Sequence, residues 1–256
     1  MEDKVTVTSI ANAGVLIEYR GRRFLFDAIQ TGNPYFSAPP DEVLSDLVNS
    51  RGIFADAELL AYSHYHNDHI DFQKNLEYLS HHRPAHIVLP HDPFKRTVAF
   101  KLNLNALEIP YEEPNVPLDE MTTVELSDGV RLKCYHSRHD GGDKFKKVFH
   151  YTFLFSAGGK NILLASDSPI MDCKLYEDLK KEKIDLALFN LLFLNNRKGR
   201  EIINSLHPAK LVIYHLPLSD HENQMLRKIA VHDAARYKDE LPDISVFAES
   251  LDRVEV

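Results

Sequence analysis

The order of apolar patterns along the chain constrains its fold more than any single motif, because one arrangement runs twice. Apolar residues alternate in the strand manner at Val5 and Val7, at Val15 and Ile17, and at Phe24 and Phe26. Turns at Asn12-Ala13-Gly14 and Arg20-Gly21 separate these runs, which predicts a β meander. The period then changes. A helix is predicted over "APPDEVLSDLVNSRG", a strand in "AELLAYS", a helix in "FQKNLEYLSHH", a strand in "AHIVLP" and a helix in "PFKRTVAFKLN". Strand–helix alternation of this kind marks βαβ units.

After Pro117 the arrangement begins again. "MTTVEL", "VRLKCYHS", "VFHYTFLFS" and "NILLAS" predict four strands, with turns at Asp128-Gly129 and Gly158-Gly159. Helices are predicted over 172–183, 198–206 and 221–238, alternating with strands in "DLALFN", "KLVIYHL" and "ISVFAE". The region 110–120, with Pro110, Pro114, Pro117 and four acidic residues, reads as the join. Each half is a meander followed by βαβ units. The expected architecture is α/β: a four-layer αβ/βα sandwich of two mixed β-sheets with helices on the outer faces, residues 1–256 forming a single domain.

Composition bounds the function. With 44% apolar content in 256 residues, a sizeable core is available. No apolar run approaches the ~18 residues of a membrane span, and "MEDKVTVTSI" lacks the basic-then-apolar order of a secretory signal. Two cysteines, Cys134 and Cys173, are too few for a disulfide scaffold and suit a reducing cytoplasm. The charge of −8, from 38 acidic and 30 basic residues, argues against nucleic acid as a partner. A small-molecule substrate and no membrane partner are expected.

Chemistry concentrates in "SHYHNDHID", residues 63–71. His64, His66, Asp68 and His69 form H-x-H-x-D-H between an apolar strand and a helix. Imidazole nitrogens and carboxylate oxygens are zinc ligands, and alternate spacing lets His64 and His66 converge from a turning loop. Asp68 and His69, adjacent in sequence, can point apart and serve a second ion. The competing reading is a polar loop, since the chain carries 14 histidines. Two later apolar strands also end in donor residues: Asp167 in "ILLASDS" and His215 in "LVIYHLP". Simpler roles exist for both, a helix N-cap for Asp167 and packing against Pro217 for His215. His91, Asp92 and His221 read as surface residues, with the border of a pocket as the alternative.

H-x-H-x-D-H after a short strand resembles the metal-binding motif of the metallo-β-lactamase superfamily, and the two-half organisation resembles that superfamily's αβ/βα sandwich. The resemblance spans nearly the whole chain. It implies further ligands in a fixed order, met here by His139 in "CYHSRHDGG", then Asp167, then His215. His139 is preferred to His136 because "DGGD" follows it directly; the frequent P-G-H-T sequence is absent, so His136 stays as the alternative. Asp27, in "RRFLFDA", matches an aspartate that orders the metal loop.

The resemblance implies two divalent metal ions, zinc fitting best, with manganese or iron as alternatives. His64, His66 and His139 would hold one, Asp68, His69 and His215 the other, with Asp167 bridging. Asp68 would also orient the attacking water and accept its proton. The implied activity is hydrolysis of an ester-type bond, lactone or phosphodiester, in a small cytoplasmic metabolite, similar to the sugar-phosphate lactonase branch. Alternatives are an RNA-processing nuclease of the same superfamily, for which a basic gripping insertion is missing, and a non-catalytic metal-binding member. A flavin-linked di-iron enzyme would carry Glu in place of His66.

Overall fold

Residues 4–171, 173–218 and 224–256 are described in the computed structural model. The first half opens with β1 (Val5–Ala11), β2 (Gly14–Tyr19) and β3 (Arg22–Phe26), an antiparallel meander. β4 (Leu59–Ala61) and β5 (His86–Val88) then add in parallel beside β3. Helices α1 (Asp41–Val48), α2 (Phe72–His81) and α3 (Val98–Ala106) make the connections.

The second half repeats this plan. β6 (Met121–Glu125), β7 (Arg131–Ser137), β8 (His150–Ala157) and β9 (Lys160–Leu164) are antiparallel. β10 (Leu186–Asn190), β11 (Lys210–Tyr214) and β12 (Asp243–Val246) continue from β9 in parallel. Helices α4 (Lys174–Leu179), α5 (Leu191–Asn195), α6 (Arg197–Leu206) and α7 (Met225–Tyr237) complete it. Among the described residues, no helix is long and apolar enough to cross a membrane.

Strand alternation sorts the side chains into layers. Val5, Val7, Val15, Ile17, Phe24 and Phe26 point inward and meet the inner face of the second sheet. Phe24 packs on Phe155 with ring centroids 4.8 Å apart, and Phe26 on Phe153 at 5.7 Å. Burying one such ring contributes about 1.5–3 kcal/mol. The opposite parity, Ile10, Leu16 and Leu25, packs with Leu47, Tyr78 and Leu104 of the first helices. On the second sheet Leu154, Leu163, Phe189 and Ile213 pack with Phe193 and Ile203. The result is the expected four-layer sandwich of two mixed sheets. A polar tie reinforces it: Arg22 donates to both carboxylate oxygens of Glu58, at 2.7 and 2.5 Å, and to Ser127 Oγ at 2.6 Å.

Several boundaries depart from expectation. α3 starts at Val98 rather than at Pro93, because the Asp92 carboxylate accepts from Phe94 N (3.2 Å) and Thr97 N (2.7 Å) and holds the intervening residues in a turn. α5 was not predicted; Asn190 ends the strand by accepting from Leu192 N at 3.0 Å, and the apolar run continues as a helical turn. α6 begins at Arg197 and α4 is shorter than predicted; Asp172 and 221–223, also placed in predicted helices, lie outside the described residues. The join at 110–120 is not a free linker. Glu112 exchanges backbone hydrogen bonds with Ile87 and Leu89 beside β5, while Asp119 and Glu120 bond His136 in β7. Finally, β13 (Arg253–Glu255) returns to the first sheet and pairs antiparallel with β1, Val254 opposite Val7.

Candidate metal centre

The exits of β3, β4, β9 and β11 converge, and each carries a donor or its support. The turns there are sharp: Asp27, Ser166 and His215 have φ of 46°, 51° and 58°, and Asn12 between β1 and β2 has 48°. Left-handed backbone is unfavourable for residues with a Cβ, and its clustering marks a site held by its surroundings.

His64, His66, His139 and Asp167 form one group and Asp68, His69 and His215 another, the donor atoms within each lying within 4.8 Å of one another. In the first group His64 Nε2 is 2.8 Å from His66 Nδ1 and 3.5 Å from Asp167 Oδ2. His139 Nε2 is 3.1 Å from the same oxygen. In the second, His69 Nε2 is 3.1 Å from His215 Nε2 and 3.8 Å from Asp68 Oδ2. Asp167 stands between the groups, its Oδ1 3.2 Å from His215 and its Oδ2 3.6 Å from His69.

These contacts are hard to satisfy with hydrogen bonds alone. His139 Nδ1 lies 2.5 Å from the carbonyl of Asp140, so that nitrogen carries the proton. In neutral His139 this leaves the Nε2 lone pair facing a carboxylate oxygen, and Nε2 is buried with no hydrogen-bond partner. His69 is arranged similarly: Nδ1 donates to Asp27 Oδ2 at 3.0 Å, which turns its Nε2 toward that of His215. A cation between such atoms relieves both oppositions. The donor set therefore fits metal ions, and the second partner on each ring fixes the donating nitrogen.

The supporting groups are also in place. Asp27 accepts from Ser63 N and Ser63 Oγ, both at 2.7 Å, and Ser166 Oγ reaches Ser63 Oγ at 2.9 Å. Asn12 Nδ2 donates to Asp68 O at 3.0 Å and to Oδ2 at 3.3 Å. His150 accepts from Asp167 N at 3.2 Å through Nε2, and its Nδ1 sits 2.8 Å from Ser137 Oγ. Asn12, Ser63, His150 and Ser166 were not singled out from sequence. A histidine inside the apolar strand "VFHYTFLFS" was the available signal.

Protein charges tune the donors. Burial, with His69 nearby, pushes His64 well below the ordinary histidine value, and burial takes His66 down to about 4. Both rings stay neutral at pH 7, as ligands must. Burial opposes ionisation of Asp167, yet His215, His139 and His69 hold it well below the usual carboxylate range. For His69 burial also works downward, but Asp27 and Asp68 win and hold it well above the ordinary value, so a metal ion bound at Nε2 would displace a proton.

All seven residues proposed from sequence meet here. His136 does not: it stacks on Phe149 with centroids 3.7 Å apart, and its Nδ1 donates to Val116 O at 2.8 Å. His91 lies 3.3 Å from Glu113 and borders a small crevice beside the main cavity, while Asp92 serves its loop. His221 lies outside the described residues. A cavity of about 690 Å³ opens over both groups, a size suited to a small organic molecule.

This fold and this donor arrangement define a class. Residues 13–237 match the family model described as the beta-lactamase superfamily domain, and the chain belongs to that superfamily. Its sandwich is that of the metallo-β-lactamase branch. The metallo hydrolase Igni18 of Ignicoccus hospitalis is similar in fold, with a TM-score of 0.66 at 14% identity over 99% of this chain and 98% of the other. The metallo-beta-lactamase fold protein YhfI of Bacillus subtilis gives 0.61 at 18% identity over 99% and 100%. An isothiocyanate hydrolase from Delia radicum gut bacteria gives 0.64 at 16% identity over 97% and 98%. No curated protein matches the chain in sequence.

Proposed function

We propose that the protein is a dinuclear metal-dependent hydrolase cleaving an ester-type bond, lactone or phosphodiester, in a small molecule. The observation that carries this reading is Asp167, its two oxygens turned to two separate donor groups. His64, His66 and His139 would hold one ion, Asp68, His69 and His215 the other, with Asp167 between them. Five imidazoles and two carboxylates, with no thiolate, favour zinc over manganese or iron. Bound there, two divalent cations would supply a water of lowered pKa and a Lewis acid for the carbonyl or phosphoryl oxygen.

The chain's own groups supply the rest. Asp68, anchored by Asn12, lines the cavity where it can orient the attacking water and accept its proton. Phe36 packs edge-on to His215 at 4.4 Å, and Phe145 covers His66 and His139 at 5.3 and 4.8 Å, keeping bulk water from the donors. The hydrolase descriptions of Igni18 and the gut-bacterial protein support the reaction class. Two free cysteines support a reducing, cytoplasmic setting. A concave site in a chain of net charge −8 favours a small-molecule substrate over RNA.

The test is elemental analysis of protein purified without chelator, followed by a panel of lactones, phosphodiesters and thioesters. About two transition-metal ions per chain, and turnover that chelation abolishes and zinc restores, are expected. Absence of stoichiometric metal after reconstitution would remove the reading.

A further inference from the structure

The cavity over the metal centre has a chemical bias that narrows its substrate, granted the hydrolase reading above. Its walls away from the donors are largely apolar: Tyr35, Phe36, Phe145, Leu192 and Leu226 line it. Tyr35 is 68% exposed and Leu192 44%, so large apolar surface waits in water at the mouth for something to cover it. This wall is preformed. Asn33 and Phe36 exchange two backbone hydrogen bonds, at 2.9 and 3.2 Å, and Asn33 Oδ1 accepts from Tyr35 N at 2.7 Å. Gly32 seals the turn with φ of +71°, where any Cβ would meet Phe36 O and Ala38 N at 2.6 Å. A wall already ordered loses little entropy when a ligand arrives.

Asn67, Asp140 and Asn195 also line the cavity, but part of its polar capacity is already committed. Asn190 is committed at both ends of its amide, accepting from Leu192 N and donating to Ser166 O. The Asn33 carbonyl is likewise taken by its own loop. A polyhydroxylated sugar lying on the aromatic and leucine wall would leave hydroxyls unpaired there, each unpaired group costing about 1–3 kcal/mol. One full positive charge remains. Arg96 is the only Lys or Arg lining the cavity among the described residues. Its guanidinium lies 5.4 Å from the ring centre of Phe94, and among the described residues no carboxylate stands within ion-pair distance of it.

We propose that the site takes an amphipathic substrate: an apolar ring or chain lying among Tyr35, Phe36, Phe145, Leu192 and Leu226, and a single anionic group held by Arg96. Arg96 is then a specificity-determining residue. It selects the anion-bearing ester over its neutral analogue, and the apolar wall rejects sugar-like substrates of the same charge.

Calorimetry on zinc-loaded protein tests this with three probes that cannot be hydrolysed: 6-phenylhexanoate, 6-phenylhexan-1-ol and gluconate. The hexanoate should bind about tenfold more tightly than the alcohol, the difference expected of one charge-assisted contact, and gluconate more weakly than both. In Arg96→Ala the advantage of hexanoate over alcohol should fall to about one, and Arg96→Lys should restore part of it. Gluconate binding as tightly as phenylhexanoate, no binding of phenylhexanoate, or an advantage that survives in Arg96→Ala would each overturn the proposal. The last would put the carboxylate on the metals. Turnover of a 4-nitrophenyl ester, measured separately, reports on the hydrolase reading; the expected binding pattern without turnover would sink that reading and leave the pocket assignment standing.

Discussion

The Nε2 atoms of His69 and His215 stand 3.1 Å apart although 146 residues separate them in the chain. Neither ring is free to turn away. His69 is held from behind by Asp27, at 3.0 Å, while His215 is held through its backbone N–H to Asn12 O at 3.0 Å and by the edge of Phe36. The two halves of the fold thus present their donors already aimed, and a cation would find the geometry made.

The two histidines near the end of β7 should separate cleanly. His139→Ala removes a donor of the first group, and bound zinc should fall by about one ion per chain. His136→Ala removes only a ring stacked on Phe149 and a bond to Val116 O, so zinc should be retained. Elemental analysis after dialysis decides it, and equal retention in both variants would refute the assignment.

Asp68→Asn keeps the shape of the side chain and removes its charge. The rate on an identified substrate should drop on the order of 10²-fold or more, since placement and proton acceptance both suffer. Metal should be lost mainly from the second group. The fold should persist, because Asp68 lies in a loop after β4. Full occupancy with full rate would defeat the mechanism.

Acid should weaken the Arg22–Glu58 tie. The Arg22 side chain donates into the Glu58 carboxylate, holding it below its ordinary value of 4.5, with the Ser127 bond adding to the effect. A depressed folded pKa means stability fully present above about pH 4.5 and lost as pH falls through the folded value. Glu58→Gln should therefore lower stability by about 1–3 kcal/mol at pH 7, or about 2–4 °C in Tm per kcal/mol. The gap between variant and parent should narrow by pH 3. A gap that stays constant from pH 7 to pH 3 would contradict this.

Gly199 lies within α6, where replacement by Ala ordinarily gains about 1 kcal/mol. Here a Cβ would sit 2.4 Å from Phe193 Cα and from its carbonyl oxygen, both backbone atoms that cannot swing aside. Gly199→Ala should thus lose about 1–3 kcal/mol. A thermal melt showing a more stable variant would rule out this packing.

Much of this was legible in the primary structure for a definite reason. The donors sit at ends of apolar strands, and in an α/β sandwich those ends gather along one rim. His64, Asp167 and His215 could be picked out by that position. Asn12 and His150 could not, since a polar residue in a turn or buried in a strand acquires its role only from distant chain: Asn12 from Asp68, His150 from Asp167 and Ser137. The choice between His136 and His139 also needed coordinates, because strand alternation does not say where β7 releases the chain. Residues 191–195 were hidden by continuity of apolar character, the periods of strand and helix being indistinguishable over five residues.

The return of β13 onto β1 makes the repeated halves unequal partners. Were the chain divided at the join near residue 115, the N-terminal piece would keep five strands and lose the ribbon that covers the outer side of β1. Its alternating Val5–Ala11 segment would then offer bare N–H and C=O groups to any neighbouring molecule, an invitation to intermolecular sheet growth. Three modest residues at 253–255 serve as a selvedge on that sheet; the C-terminal piece would keep its seven-strand order from β12 to β6, with β13 left without its partner.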